Sequence, residues 1–246
     1  MSSVNEILEK LHFRVQDLNV LPSEQLRDIL LILNVKEILK LCEVNQKFNS
    51  VCDEELFWRI KVLNDYGIKK RYGNTWKETA IVMDKVNMIN LGRTWSDGRT
   101  YREILDDTLR DGDDADDILD LQYKYILHLM NSENNEDDAK FIQIELNDEK
   151  SLQDFADEFL GKPYTADEID DILLANSKEM KIIYASVLTY KGMTPCKYLP
   201  GNTIGNSVTT GTALQSYEFL RKMIDPVLYV MQFSSFSRDR LNLVEY

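Results

Sequence analysis

The stretch DDTLRDGDDADDILD, residues 106–120, sets eight aspartates against one arginine. Carboxylates at alternate positions from Asp111 are the oxygen ligands that a hard divalent cation takes, so a calcium loop is the first chemistry to test. An EF-hand loop needs glycine at its sixth position and glutamate at its twelfth, and counted from Asp111 those positions hold Asp116 and Gln122. The run is read as a solvated acidic loop or a domain boundary, and no metal is assigned to it.

Other chemistry-bearing residues lead no further. GNTIGNS (201–207) has the glycines of a phosphate-cradling loop but lacks the lysine that would reach the phosphates. The only histidines, His12 and His128, stand far apart within apolar helical patterns, so neither a zinc site nor a Ser-His-Asp arrangement has local support. Three cysteines, Cys42, Cys52 and Cys196, form no CxxC pair and suggest reduced thiols. The chain is expected to hold no catalytic residue, cofactor or metal.

What the sequence does supply is helices. Leu21-Pro22 opens one, with Leu26, Ile29, Leu30 and Leu33 at three- and four-residue steps. Asn34 and Glu37 have the spacing of a capping box for a second, carrying Ile38, Leu39 and Leu41. After a kink expected near Cys42, Val44, Phe48 and Val51 continue the pattern. Asp53 is expected to cap a third segment in which Leu56, Phe57, Ile60 and Leu63 face inward, and Gly67 stops it.

Thr75 with Glu78 and Thr100 with Glu103 are further capping boxes, separated by a turn marked by Gly92 and Asp97-Gly98. Beyond the acidic run, Ser151 is expected to open a helix, Thr165 with Glu168 another, and the pattern Ile182, Ile183, Ala185, Val187 leads to a stop at Gly192. Residues 192–211 read as a long loop. Residues 212–231 return to a helical pattern that Pro226 ends or kinks.

Composition bounds the function classes. The chain has 246 residues, 43% of them hydrophobic, and a net charge of -13, which repels nucleic-acid phosphates and anionic membrane surfaces. Its one basic cluster, Lys69, Lys70 and Arg71, is read as a solvated helix end. The N-terminus lacks the basic and long apolar regions of a signal peptide, so a soluble cytoplasmic or nuclear protein is expected. The apolar surface of residues 21–60 looks larger than so small a bundle covers alone, and a partner is expected to cover the remainder.

Leu21-Pro22, Glu24, Ile29-Leu30, Leu33, Ile38 to Leu41, Val44-Asn45, Phe48 and Leu56 to Trp58-Arg59 together resemble the F-box in order, spacing and residue type. In two places the chain departs from the common pattern: Asn45-Gln46-Lys47-Phe48 stands for Cys-Arg-x-Trp, and Asn34 for Asp. The continuation FWRIKVLNDYGIKKRYGNTWKETA is similar to the F-box-like proteins of giant DNA viruses.

The resemblance implies a mainly α fold: an N-terminal helix (1–18), an F-box-like orthogonal helical bundle (19–68), a helical extension (69–110) and a mostly helical C-terminal domain (111–246), with room for a small β-sheet. It implies a non-catalytic substrate adaptor that docks on a Skp1-like linker protein of a cullin-RING ubiquitin ligase, in the host cell if the origin is viral. The implied docking residues are Leu21, Pro22, Glu24, Leu26, Ile29, Leu30, Leu33, Ile38, Leu41, Cys42, Val44, Phe48, Leu56 and Trp58. An acidic adaptor favours a basic target protein. The alternative is a scaffold or virion component that keeps the helical module for its own packing, with Leu30 and Leu33 buried.

Overall fold

The computed structural model describes residues 21–44, 46–95, 98–110, 149–155, 178–191 and 223–241, with isolated positions besides (4, 6, 7, 157, 163–167, 169, 243 and 244). Among these the chain is mainly helical and has no strand; a single antiparallel bridge joins Thr94 to Thr100. The chain divides into two compact units, Met1–Arg93 and Thr94–Tyr246.

In the first unit, α1 (Ser23–Leu31) starts directly after Pro22, whose carbonyl accepts from the Leu26 amide at 3.1 Å. A proline tolerates this place because the first turn of a helix has no partner for an N–H. α2 (Val35–Val44) begins at the expected box: the Glu37 amide donates to Asn34 Oδ1 at 2.9 Å and the Asn34 amide to Glu37 Oε2 at 3.1 Å. The helix runs through Cys42 to Val44 and α3 (Gln46–Cys52) follows; the Cys42 and Cys52 Cα atoms lie 6.2 Å apart, so the chain changes direction between them.

α4 (Glu55–Tyr66) carries Glu54 rather than Asp53 at its N-cap position, with no side-chain cap. α5 (Trp76–Lys85) begins at Thr75, whose hydroxyl accepts from the Glu78 amide at 3.0 Å; the return bond falls one residue early, from the Asn74 amide to Glu78 Oε2.

Packing follows the apolar faces. α2 lies against α3 and α5, α4 against α5, and α3 touches both α1 and α4. Leu26, Leu30, Leu33, Ile38, Leu41, Phe48, Val51, Phe57, Trp58, Val62 and Met83 are buried. Each such side chain contributes about 1.5–3 kcal/mol of transfer free energy. Trp58 anchors this core, its ring 5.2 Å from Phe57 edge to face and its Nε1–H donating to the Cys52 carbonyl at 2.7 Å. The sulfurs of Cys42 and Cys52 are bonded to each other. That corrects the expectation of free thiols at these two positions: the α2–α3 packing brings Cα atoms ten residues apart in sequence to 6.2 Å, a separation no local motif announces.

The end of α4 is closed by a distant turn. Gly67 takes a left-handed φ of 65°, its amide donates to the Leu63 carbonyl, Asn90 Nδ2 donates to the Asn64 carbonyl and the Leu91 amide to that of Tyr66. A Cβ on Gly67 would lie 2.2 Å from the Gly92 amide nitrogen, so the two backbones pass where only glycine fits.

In the second unit, α6 (Tyr101–Arg110) starts at the Thr100–Glu103 box, both reciprocal bonds formed, after a tight turn in which Gly98 has φ 88°. The helix runs through Asp106 and Asp107, which the sequence reading placed in a loop; Arg102, Arg99 and Arg110 lie within 2.8 to 3.6 Å of them. α7 (Glu149–Phe155) starts two residues before Ser151.

α8 (Met180–Tyr190) is buried on nearly every side, and α6, α9 (Val227–Ser234) and α10 (Arg238–Leu241) pack on it. At its start the Tyr101 hydroxyl donates to Glu179 at 2.6 Å, which partners a buried carboxylate. Pro226 opens α9, where its missing N–H again suits a first turn; residues 212–222 of the pattern it was expected to end or kink lie outside the described residues.

Candidate docking surface

Residues 21–68 form the region whose sequence suggested a docking face, and the structure divides the fourteen implied residues sharply. Leu26, Leu30, Leu33, Ile38, Leu41, Cys42, Phe48 and Trp58 are buried within the chain. That corrects the expectation that Leu30 and Leu33 are left uncovered: α1 packs on α3, α3 on α2 and α4, and both side chains enter that core. Leu21 and Ile29 are half-buried, and Pro22 and Glu24 are exposed.

The apolar side chains left in solvent are others. Ile32 is 73% exposed, Leu56 63% and Val44 51%. Ile60 and Leu63, expected to face inward, join Leu56 on one side of α4 at steps of four and three residues. The reason is competition between two stripes on one helix. Phe57, Trp58, Val62 and Tyr66 offer the larger area, and burying the aromatics turns the Leu56-Ile60-Leu63 side outward. Ile32 follows α1 in a tight turn, with the Leu33 amide donating to the Leu30 carbonyl at 3.2 Å, so Leu30 and Leu33 enter the core while Ile32 faces out.

Polar side chains hold the helices that display these residues. Arg27 on α1 reaches both carboxylate oxygens of Glu54 at 2.7 and 2.8 Å. Lys47 on α3 donates to the Leu21 carbonyl, tying down the Leu-Pro entry. Lys61, buried on α4, donates to the Leu31 carbonyl at 2.8 Å, closing the end of α1, and pairs with Asp65 at 2.7 Å. Desolvation pushes the Asp65 carboxyl above its ordinary pKa even against the pull of Lys61, and it raises the Tyr66 hydroxyl still more strongly. Sequence reasoning missed Lys61; the only local trace was its four-residue spacing from Asp65.

The remaining candidates lie elsewhere. Lys69, Lys70 and Arg71 are exposed, but α4 ends at Tyr66, so they occupy the connection to α5 rather than a helix end, with the Lys70 ammonium 5.7 Å from the Tyr72 ring centroid. Residues 111–120, the loop 192–211, His12, His128 and Cys196 lie outside the described residues. Among the described residues no group of three or more acidic, histidine or cysteine side chains could hold a metal ion, and no helix is long and apolar enough to cross a membrane.

Comparison with protein-family models, curated proteins and solved structures found no match to this chain.

Proposed function

We propose that the chain is a non-catalytic F-box-type adaptor, in which residues 21–68 dock on a Skp1-like linker protein and the remainder presents a target to a cullin-RING ubiquitin ligase. The observation that carries the reading is the apolar surface left over once the core is complete: Ile32, Val44 and Leu56 stay in water although eight neighbouring motif residues are buried. Exposed apolar side chains that lie together mark protein contacts, and Leu56, Ile60 and Leu63 share one side of α4. The motif's order along α1 to α4 and its exposed Pro22 support the same partner. The similarity of residues 57–80 to F-box-like proteins of giant DNA viruses supports a host-cell setting, and the net charge of -13 supports a basic target.

The test is direct binding of the full chain to purified Skp1. Wild type binds at micromolar concentration or tighter, and Ile32→Asp, Val44→Asp and Leu56→Asp each weaken it tenfold or more with the helical circular dichroism unchanged. Wild type that does not bind removes the proposal. The burial of Leu30 and Leu33 favours a second reading, a scaffold in which the helical module serves only its own packing. In that case neither wild type nor the three variants bind the linker, and all four behave alike.

A further inference from the structure

We propose that Cys42 and Cys52 form a reversible bridge, a redox switch that locks or releases the joint between α2 and α3. Cys42 lies in the last turn of α2 and Cys52 ends α3, so the bond spans the joint that displays Val44. The Cα separation of 6.2 Å is one that a disulfide accepts without moving the backbone.

The reduced state is equally well accommodated. Cys42 Sγ lies 2.9 Å from the Ile38 carbonyl one turn earlier, so a thiol at this position has an acceptor waiting. The Cys52 backbone is held by Trp58 Nε1 whichever state its sulfur is in. Opening the bond therefore leaves the Cys42 thiol a hydrogen-bond acceptor one turn back on its own helix.

Access favours one of the two cysteines. Cys42 keeps 7% of its surface in solvent and Cys52 none. A thiolate of a small thiol–disulfide buffer, glutathione being the probe, attacks Cys42 Sγ; the bridge breaks and Cys52 leaves as a thiolate that takes up a proton. A second glutathione thiolate attacks the glutathione sulfur of the mixed disulfide, giving glutathione disulfide and the Cys42 thiolate, which is protonated in turn. The net exchange is one bridge and two glutathione thiols for two cysteine thiols and one glutathione disulfide. The reverse reaction closes the switch.

The consequence is mechanical. With the bridge closed, the joint is tied covalently; with it open, α3 is held to α2 only by packing such as that of Leu41, Phe48 and Val51. The bridge restricts the unfolded chain in a loop about as long as those for which disulfides raise melting temperatures appreciably, and the expected difference between the two states is roughly 10 °C.

The experiment uses the full chain without any partner, so its outcome is independent of linker binding. The protein is equilibrated in glutathione buffers from reducing to oxidising, quenched by alkylation in denaturant, and its cysteine peptides are quantified by mass spectrometry, with a melting curve at each point. Cys42 and Cys52 are expected to convert together within that range while the protein stays folded, and wild type melts roughly 10 °C higher at the oxidised end. Cys52→Ala and Cys42→Ala lose the dependence on buffer. The proposal is overturned if both residues remain thiols throughout, if the bridge opens only on unfolding, or if Cys196 is the partner found.

Discussion

Leu30 and Ile32 are two residues apart, both aliphatic, and belong to opposite sides of the structure. Leu30 is fully buried against the helical core, whereas Ile32 stands in solvent. Truncating Leu30 to alanine removes buried methyl groups and leaves a cavity, a change of about 2–5 kcal/mol in unfolding free energy. Taking about 3 kcal/mol and roughly 4–8 °C per kcal/mol for a unit of this size, Leu30→Ala lowers the melting temperature by roughly 12–24 °C. Ile32→Ala stays within about 0.5 kcal/mol of wild type.

Urea unfolding followed by tryptophan fluorescence, with Trp58 in the same core, reads both variants on one scale. Equal stabilities, or a larger loss at Ile32, would refute the placement of the two residues and with it the docking surface built on Ile32. The contrast also decides how partner binding must be tested. Leu30→Asp puts a charge into the core and unfolds the unit, so loss of binding in that variant carries no information about a contact.

Three further outcomes can be measured in the same way. Lys61→Met strips Asp65 of its counter-ion and the Leu31 carbonyl of its donor; because Asp65 keeps 26% side-chain exposure the loss is about 3 kcal/mol, the low end for a broken buried pair, and Asp65→Leu on top of it recovers part in a denaturation experiment. Gly67→Ala meets both a left-handed φ and the Gly92 backbone, and lowers unfolding free energy by about 2 kcal/mol or more, whereas Gly98→Ala, with open space beside it, loses only about 1 kcal/mol. Asp65 has a folded pKa raised above its unfolded one, so its linked stability is present below the unfolded pKa and is lost as pH rises through the folded pKa. Against Asp65→Asn, wild type therefore gains relative stability as the pH falls from neutral into the acid range, and a constant difference across that range in urea titrations would contradict the assigned environment.

Local rules were readable from the sequence wherever both partners sit within one turn of helix. The Asn34–Glu37 and Thr100–Glu103 boxes need only the short reach from a cap to its third residue, and both bonds of each are formed. Gly67 was visible as a stop because its φ is set by the helix end itself.

What escaped depends on which neighbour arrives from elsewhere. Residues 55–66 contain two apolar stripes, and spacing cannot rank them; the aromatic bulk of Phe57, Trp58 and Tyr66 decides in the folded unit. Lys61 reads as a surface residue until the Leu31 carbonyl comes within reach, and the Cys42–Cys52 bond depends on how α2 meets α3. The burial of Leu30 and Leu33 escaped for the same reason: their spacing shows an apolar stripe without saying whether the chain itself covers it.

The meeting of Gly67 with Gly92 carries a lesson about where the first unit ends. Judged by its motif, the module is finished at residue 68, and a fragment excised there would look complete. Yet the last carbonyls of α4 receive their donors from Asn90 and Leu91. On a ribosome, the final turn of that helix must wait until more than twenty further residues have emerged, and a recombinant piece trimmed at the motif's border would fray where Tyr66 stands. The first compact unit extends to Arg93, well beyond residue 68.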